Sequence, residues 1–215
     1  KMKKVMFLVD DYWHKEETIR PLVDILFGKE EWSVIFTKKP KELYANEDLD
    51  LFLSFKDPIE NDQIPTPIWC DEKWTDTFLK LVKNGMGFIA VHAQVTDLDK
   101  NHPIVTELLQ SVFITHPEQC ELSVEIQKEH PVTHGVTSFT FPENDEHYQM
   151  DMLEGTDVTI LANTVSKNGT WPGLWVKEYG KGKICCFTPG HTTRNMTCEG
   201  YIKILKNAIN WCVEK

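Results

Sequence analysis

The sequence predicts an α/β fold built on a mostly parallel β-sheet, and two observations lead to this prediction. Residues 5–9 and 87–91 are uninterrupted apolar runs, which are typical of parallel strands buried on both faces. Segments with helical periodicity lie between such runs, so strands and helices alternate through the first half of the chain. Because crossovers between parallel strands are almost always right-handed, we expect the helices to pack on the faces of one sheet.

The first helix is predicted at residues 16–27. Its apolar stripe ends at Gly28, a typical helix stop. Pro21 is unfavourable inside a helix, so we expect it in the first turn or at a kink. The stripe itself consists of Ile19, Leu22, Val23, Ile25 and Leu26.

The rest of the first half supplies three more strands and a second helix. The strands are predicted at residues 32–37, 49–55 and 87–92, with an irregular loop at 58–70 and an amphipathic helix at 71–84.

The second half is richer in strands, with weaker helical signals. Leu122, Val124 and Ile126 alternate with polar residues, which indicates a half-exposed strand. The predicted elements are a short helix at 103–111, strands at 120–128, 158–162, 174–179 and 184–188, turns at 130–133 and 179–183, and a helix at 199–213.

Composition restricts the class of protein and its partners. The 215 residues, of which 41% are hydrophobic, fit a single domain over residues 1–215. The net charge is −10 and the basic residues form no stripe, so a nucleic acid or an anionic membrane surface is disfavoured as a partner. No apolar run approaches the roughly 20 residues that a transmembrane helix needs.

A cytoplasmic location is expected from two features. The apolar run at residues 5–9 is too short for a signal peptide, and Asp10 and Asp11 close it. The six cysteines include no C-x-x-C pair, so we interpret them as free, mostly buried thiols of a reducing compartment.

Three histidines follow predicted strands and suggest an active site. His14 comes shortly after the first strand, His92 directly after the fourth, and His191 after the last. Parallel strands share one carboxyl edge, where open α/β sheets bind ligands. Imidazole is the side chain best suited to proton transfer or metal ligation near neutral pH, so the three rings are candidate catalytic or ligating groups.

Polar neighbours of these histidines are candidate substrate contacts. Asp11 and Tyr12 precede His14, where a carboxylate would accept sugar hydroxyls and an aromatic ring would stack on a sugar. Acidic residues at this position could instead stabilise a helix amino terminus. In the segment 145–148, Glu146, His147 and Tyr148 could act as acid–base groups or ligands, although solvated acidic loops are common.

The remaining histidines carry weaker signals. His102, His116, His130 and His134 each neighbour Pro or Gly, which indicates turns. His130 and His134 have the spacing of a zinc pair on a helix, but Pro131 and Gly135 argue against a helix there.

Several segments together resemble the trehalose-utilisation (ThuA-like) family, a branch of the class I glutamine-amidotransferase-like fold. They run in order over nearly the whole chain: residues 10–14 (DDYWH) with 19–21, 87–93 (GFIAVHA), 130–135 (HPVTHG), 145–148 (DEHY), and 172–175 (PGLW) through 179–183 to 190–192. The resemblance implies a flavodoxin-like, doubly wound sheet with an inserted β-rich segment. It also places His92 where amidotransferases carry their cysteine, and His191 near their catalytic histidine, so glutaminase activity is not expected.

The resemblance implies a role in bacterial disaccharide catabolism, including pathways through 3-keto sugars. We therefore expect a hydrolase, lyase or isomerase that acts on trehalose, a related disaccharide or a keto-sugar by acid–base chemistry. The expected catalytic groups are His92, His191 and Glu146, and the expected substrate contacts are Asp11, Tyr12, His14, His147 and Tyr148.

Two alternatives stay open at this level. A non-catalytic sugar-binding or regulatory protein would explain the missing nucleophile. A metal-dependent hydrolase would use a divalent ion such as zinc, with His14, His92, Glu146 and His191 as candidate ligands. The expected partner is a small-molecule sugar, and a homo-oligomer is compatible with the sequence although no motif predicts it.

Overall fold

A computed structural model describes residues 2–63 and 65–214 of the chain. Its strands, in chain order, are β1 (Lys3–Leu8), β2 (Trp32–Thr37), β3 (Leu51–Ser54), β4 (Gly87–Val91), β5 (Ser111–Thr115), β6 (Ser123–Ile126), β7 (Phe139–Thr140), β8 (Gln149–Met152), β9 (Thr159–Ser166), β10 (Gly169–Tyr179) and β11 (Gly182–Phe187). Its α-helices are α1 (Glu16–Ile19), α2 (Leu22–Leu26), α3 (Glu72–Lys83), α4 (Thr193–Met196) and α5 (Glu199–Val213). A π-helical segment covers Ile104–Leu109.

The strand order confirms the predicted flavodoxin-like α/β fold. Within the described residues, one nine-stranded sheet runs in the order β2-β1-β3-β4-β11-β10-β9-β6-β7. The pairs from β2 to β11 are parallel, and those from β11 to β7 are antiparallel. The parallel half has the flavodoxin-like arrangement, which binds ligands beside the carboxyl ends of its strands. The inserted β-rich segment contributes β6, β7 and β9 to the sheet, while β5 and β8 form a small second sheet.

Each face of the parallel half has its own apolar core, because consecutive side chains of a strand point to opposite faces. Phe7, Leu53 and Ile89 pack on the face covered by α2 and α5. The opposite face is covered by α3, whose Trp74 and Phe78 pack against Met6, Phe52 and Phe88.

The cysteines lie in the described part of the chain as free thiols, as predicted. Five of the six are buried and Cys198 is half-buried. Cys185 and Cys186 contribute to the cores on opposite faces of the sheet. Among the described residues, no helix has both the length and the apolar character needed to cross a bilayer.

Proline and backbone geometry shift two of the predicted helices. The helix expected at 16–27 is divided at Pro21, which caps the amino end of α2, because proline supplies no N–H to the preceding turn. The helix expected at 103–111 is π-helical and ends at Gln110, whose φ of 58° is left-handed. Ser111 therefore begins β5 instead of continuing the helix.

Several elements of the second half are longer than predicted or were not predicted. β9 and β10 join at residues 166–169 into a hairpin whose pairing continues past Pro172 and Gly173. The pairing shifts register at this point, and such an irregularity is where strands tolerate proline and glycine. The strands β5, β7 and β8 and the short helix α4 carry no clear periodicity in the sequence.

Candidate functional site

The ends of three parallel strands bring three imidazole rings together, as the sequence predicts. His14 follows β1, His92 begins the turn after β4, and His191 follows β11. The ring centroid of His14 lies 4.9 Å from that of His92 and 5.2 Å from that of His191. The centroids of His92 and His191 are 5.5 Å apart.

Glu146 from the inserted segment completes a cluster of four ligand-type side chains. Its Oε2 lies 3.3 Å from His92 Nε2 and 3.2 Å from His191 Nδ1. One ligand-type atom from each of His14, His92, Glu146 and His191 lies within 4.8 Å of the others. The cluster is half-buried or buried throughout.

Asp11 fixes the orientation and the tautomer of His14. The carboxylate of Asp11 accepts hydrogen bonds from His14 Nδ1 at 2.9 Å and from the backbone N–H of Asp57 at 2.9 Å. Burial alone would raise the pKa of the Asp11 carboxyl, but the bonds from His14 and Asp57 lower it. With the proton on Nδ1, the Nε2 atom of His14 carries a lone pair. It is buried and has no hydrogen-bond partner among the described residues.

The backbone fixes the tautomer of His92 in the same sense. His92 Nδ1 lies 2.9 Å from the carbonyl oxygen of Thr188, which can only accept, so Nδ1 carries the proton. The Nε2 lone pair then faces the cluster and accepts from the Tyr148 hydroxyl at 3.1 Å. The ring of Tyr148 stacks on His92 at 4.3 Å. His92 has a left-handed φ of 47°, and such strain is often found at functional sites.

The buried carboxylate of Asp145 holds both Glu146 and His191. It accepts the backbone N–H of Glu146 at 2.8 Å and that of His191 at 3.1 Å. Its other oxygen accepts from Asn195 Nδ2 at 2.7 Å. Two ligand-type residues from distant parts of the chain are therefore anchored to one side chain.

The electrostatics of the cluster favour a cation at its centre. Burial opposes ionisation of Glu146, but the adjacent rings of His191 and His92 hold the pKa of its carboxyl well below its usual range. Burial lowers the pKa of His14. The lone pairs of His14 Nε2 and His92 Nε2 thus converge on an ionised carboxylate. The donor set of imidazole and carboxylate suits zinc and other first-row divalent ions, and the unpartnered His14 Nε2 fits such an ion.

An open cleft of about 470 Å³ lies beside the cluster. This volume is within the range of small-molecule sites. The cleft combines cluster residues with aromatic, apolar and acidic ones, and its lining comprises Trp13, His14, Asp57, Thr96, Asp97, Phe113, Ile114, Thr115, His116, Glu146, Tyr148 and His191.

The structure places three of the predicted substrate contacts outside the cleft. The side chain of Asp11 is fully buried behind His14, so it supports the ring instead of facing the cleft. Tyr12 is half-exposed beside Trp13 and does not line the cleft. His147 is buried with its ring nitrogens bonded to Ser166 and Thr164 of β9, because adjacent residues of this extended segment point to opposite sides.

Other residues of the site were not predicted. Trp13 lines the cleft in place of Tyr12, and Asp57, just after β3, lines it as well. His116, interpreted as a turn residue, stacks on Tyr148 and lies 4.0 Å from Glu146. The position of Asp57 just after a predicted strand is the signal that could have identified it, whereas nothing in the sequence marks Asp145 as an anchor.

Solved structures of similar fold support this architecture. A ThuA-like protein from Bacteroides uniformis ATCC 8492 is 19% identical, with a TM-score of 0.76, and the match covers 100% of this chain and 92% of that one. A ThuA-like protein from Parabacteroides merdae ATCC 43184 is 18% identical, with a TM-score of 0.75 over 99% of this chain and 90% of that one. A cytoplasmic protein from Salmonella typhimurium LT2 is 14% identical, with a TM-score of 0.64, and the match covers 97% of this chain and 99% of that one.

The family model gives the broader relationship. No protein with a curated description matches this chain in sequence. The family model for ThuA, described as trehalose utilisation, matches residues 4–212. This description supports a role in sugar metabolism. On the evidence of that match and of the shared fold, the chain belongs to the ThuA family.

Proposed function

We propose that this protein is a metal-dependent enzyme that acts on a sugar or keto-sugar of disaccharide catabolism. The observation that supports it most is the buried His14 Nε2, which has no partner among the described residues. It belongs to a four-residue cluster whose ligand-type atoms lie within 4.8 Å of one another. A polar atom buried without a partner costs free energy, and a bound cation would remove that cost.

In this proposal His14, His92, Glu146 and His191 would hold a first-row divalent ion such as zinc. When bound, the ion would polarise a carbonyl or hydroxyl oxygen of the substrate. Asp11 and the Thr188 carbonyl keep the ligating nitrogens of His14 and His92 unprotonated. Such supporting hydrogen bonds are typical of ligating histidines.

The cleft next to the cluster is proposed as the sugar site. Trp13 lines it with 42% of its surface exposed, so its ring offers an apolar face to a pyranose. Asp57 and Thr96 add polar groups to the lining of the same cleft. The ThuA description of trehalose utilisation supports a sugar as the ligand of this cleft.

The test is turnover of trehalose and its 3-keto derivative by wild-type protein before and after removal of metal. We expect turnover that chelation abolishes and zinc or manganese restores. His191→Ala should fold normally and lose turnover, whereas His134→Ala, an exposed histidine outside the cluster, should match the wild type. Full activity of His191→Ala, or activity unaffected by chelation, would refute the proposal.

A non-catalytic sugar-binding protein is the second candidate. The residue that favours it is His92, which occupies the strand–turn corner where related folds carry a nucleophile. A binding protein would retain sugar affinity in His92→Gln and show no turnover in the wild type, so the same assay separates the two candidates. The cytoplasmic location and a homo-oligomeric state stay predictions.

A further inference from the structure

Asp57 is an acidic residue of the cleft that the metal cluster does not use. It follows β3, next to β1 and β4 in the sheet, and lines the same cleft as His14, Glu146 and His191. The whole residue is 3% exposed. If the histidines ligate a metal, they are not free to transfer protons, and the reaction needs another acid or base.

The hydrogen-bond geometry at Thr96 disfavours an ionised Asp57 carboxyl group. Thr96 Oγ1 lies 2.7 Å from the carbonyl oxygen of Ala93 and 3.0 Å from Asp57 Oδ2. A hydroxyl has one hydrogen, and a carbonyl oxygen can only accept. The Thr96 hydroxyl can donate to only one of these two acceptors at a time, so it cannot fully stabilise an ionised Asp57 and also satisfy the Ala93 carbonyl, whereas a protonated Asp57 would donate to Thr96 and leave that hydrogen for Ala93.

The surroundings of Asp57 also oppose its ionisation. Burial, together with the like charges of Asp97 and Asp11, raises the pKa of the Asp57 carboxyl to about 8, against lowering contributions from the hydrogen bonds of the Ile59 N–H and the Thr96 hydroxyl. Tyr148 and Cys70 are the other titratable groups that sense its charge.

We propose that Asp57 is the catalytic acid of this site, which donates its proton to an oxygen of the sugar bound beside the metal cluster. The O–H bond of the carboxyl breaks, an O–H bond forms on the substrate oxygen, and Asp57 is left as a carboxylate. It regains a proton from water that enters when the product leaves. This assignment rests on the proposed function.

The first arm of the test needs no substrate. Infrared spectra of wild-type protein at pH 7 should contain the carbonyl stretch of a protonated carboxylic acid. The stretch should be absent from Asp57→Asn and retained in Asp76→Asn, which alters an exposed carboxylate on α3. An identical spectrum for the wild type and Asp57→Asn in this region would overturn the proposal.

The second arm measures turnover of 3-keto-trehalose together with zinc content. Asp57→Asn should keep its zinc and its KM and lose about 100-fold or more in kcat, while Asp76→Asn should equal the wild type. Wild-type kcat in Asp57→Asn, or loss of zinc along with activity, would overturn the catalytic role. Absence of both zinc and turnover in the wild type would instead refute the proposed function, a failure distinct from an active Asp57→Asn.

Discussion

At the scale of single residues, the position of one proton on each imidazole determines what the cluster can bind. The acceptors beside His14 and His92 are a carboxylate and a carbonyl, so both rings present a lone pair to Glu146. The sequence predicts His14, His92 and His191 because each follows a strand, and Glu146 because it lies in a dense polar segment. The sequence does not predict the residues that hold these side chains in place, since the contact of Asp145 with His191 spans 46 residues.

Replacing Asp11 tests whether it supports a metal ligand. In Asp11→Asn the side-chain amide oxygen can still accept hydrogen bonds from the backbone N–H groups. His14 Nδ1, however, loses its negatively charged hydrogen-bond partner. We expect zinc affinity to fall by about 10- to 100-fold, measured by competition with a chelating dye. Asp24→Asn, on an exposed side chain of α2, is the control, and equal affinities of the two variants would contradict the role given to Asp11.

At the scale of elements, the packing of α5 against the end of β11 sets the position of His191. Tyr201 of α5 donates to the carbonyl oxygen of Pro189 at 3.1 Å, and Gly190 lies against its ring. The apolar stripe of α5 and the run of β11 are readable from the sequence. The pairing of β5 with β8 is not, because those strands are short and lie 38 residues apart at Ser111 and Gln149.

Gly190→Ala should be destabilising for two reasons. The glycine has a φ of 125°, and an added Cβ would lie 2.2 Å from Tyr201 Oη. Overpacking and backbone strain together should lower the free energy of unfolding by about 2–4 kcal/mol, measured by urea denaturation. At Gly28 an added Cβ meets nothing within 4 Å, so Gly28→Ala should leave stability nearly unchanged; similar losses in both variants would contradict this packing.

At the scale of the whole molecule, the sheet joins residues that are far apart in sequence. The parallel order places the segments after β1, β3, β4 and β11 at one edge, and the inserted segment adds Glu146 and Tyr148 from above it. The alternating first half of the chain makes this edge predictable. The strand pairing of the inserted segment cannot be predicted from periodicity, because its short strands depend on contacts with residues far away in the sequence. Metal binding by the proposed cluster would therefore depend on this fold as well as on the four ligand residues.

The most direct measurement is the metal content of purified, tag-free wild-type protein by elemental analysis, with His191→Ala measured in parallel. We predict close to one equivalent of zinc, manganese or iron per chain in the wild type and a large loss in a folded His191→Ala. Folded wild-type protein that stays free of metal after exposure to each of these ions would contradict the account.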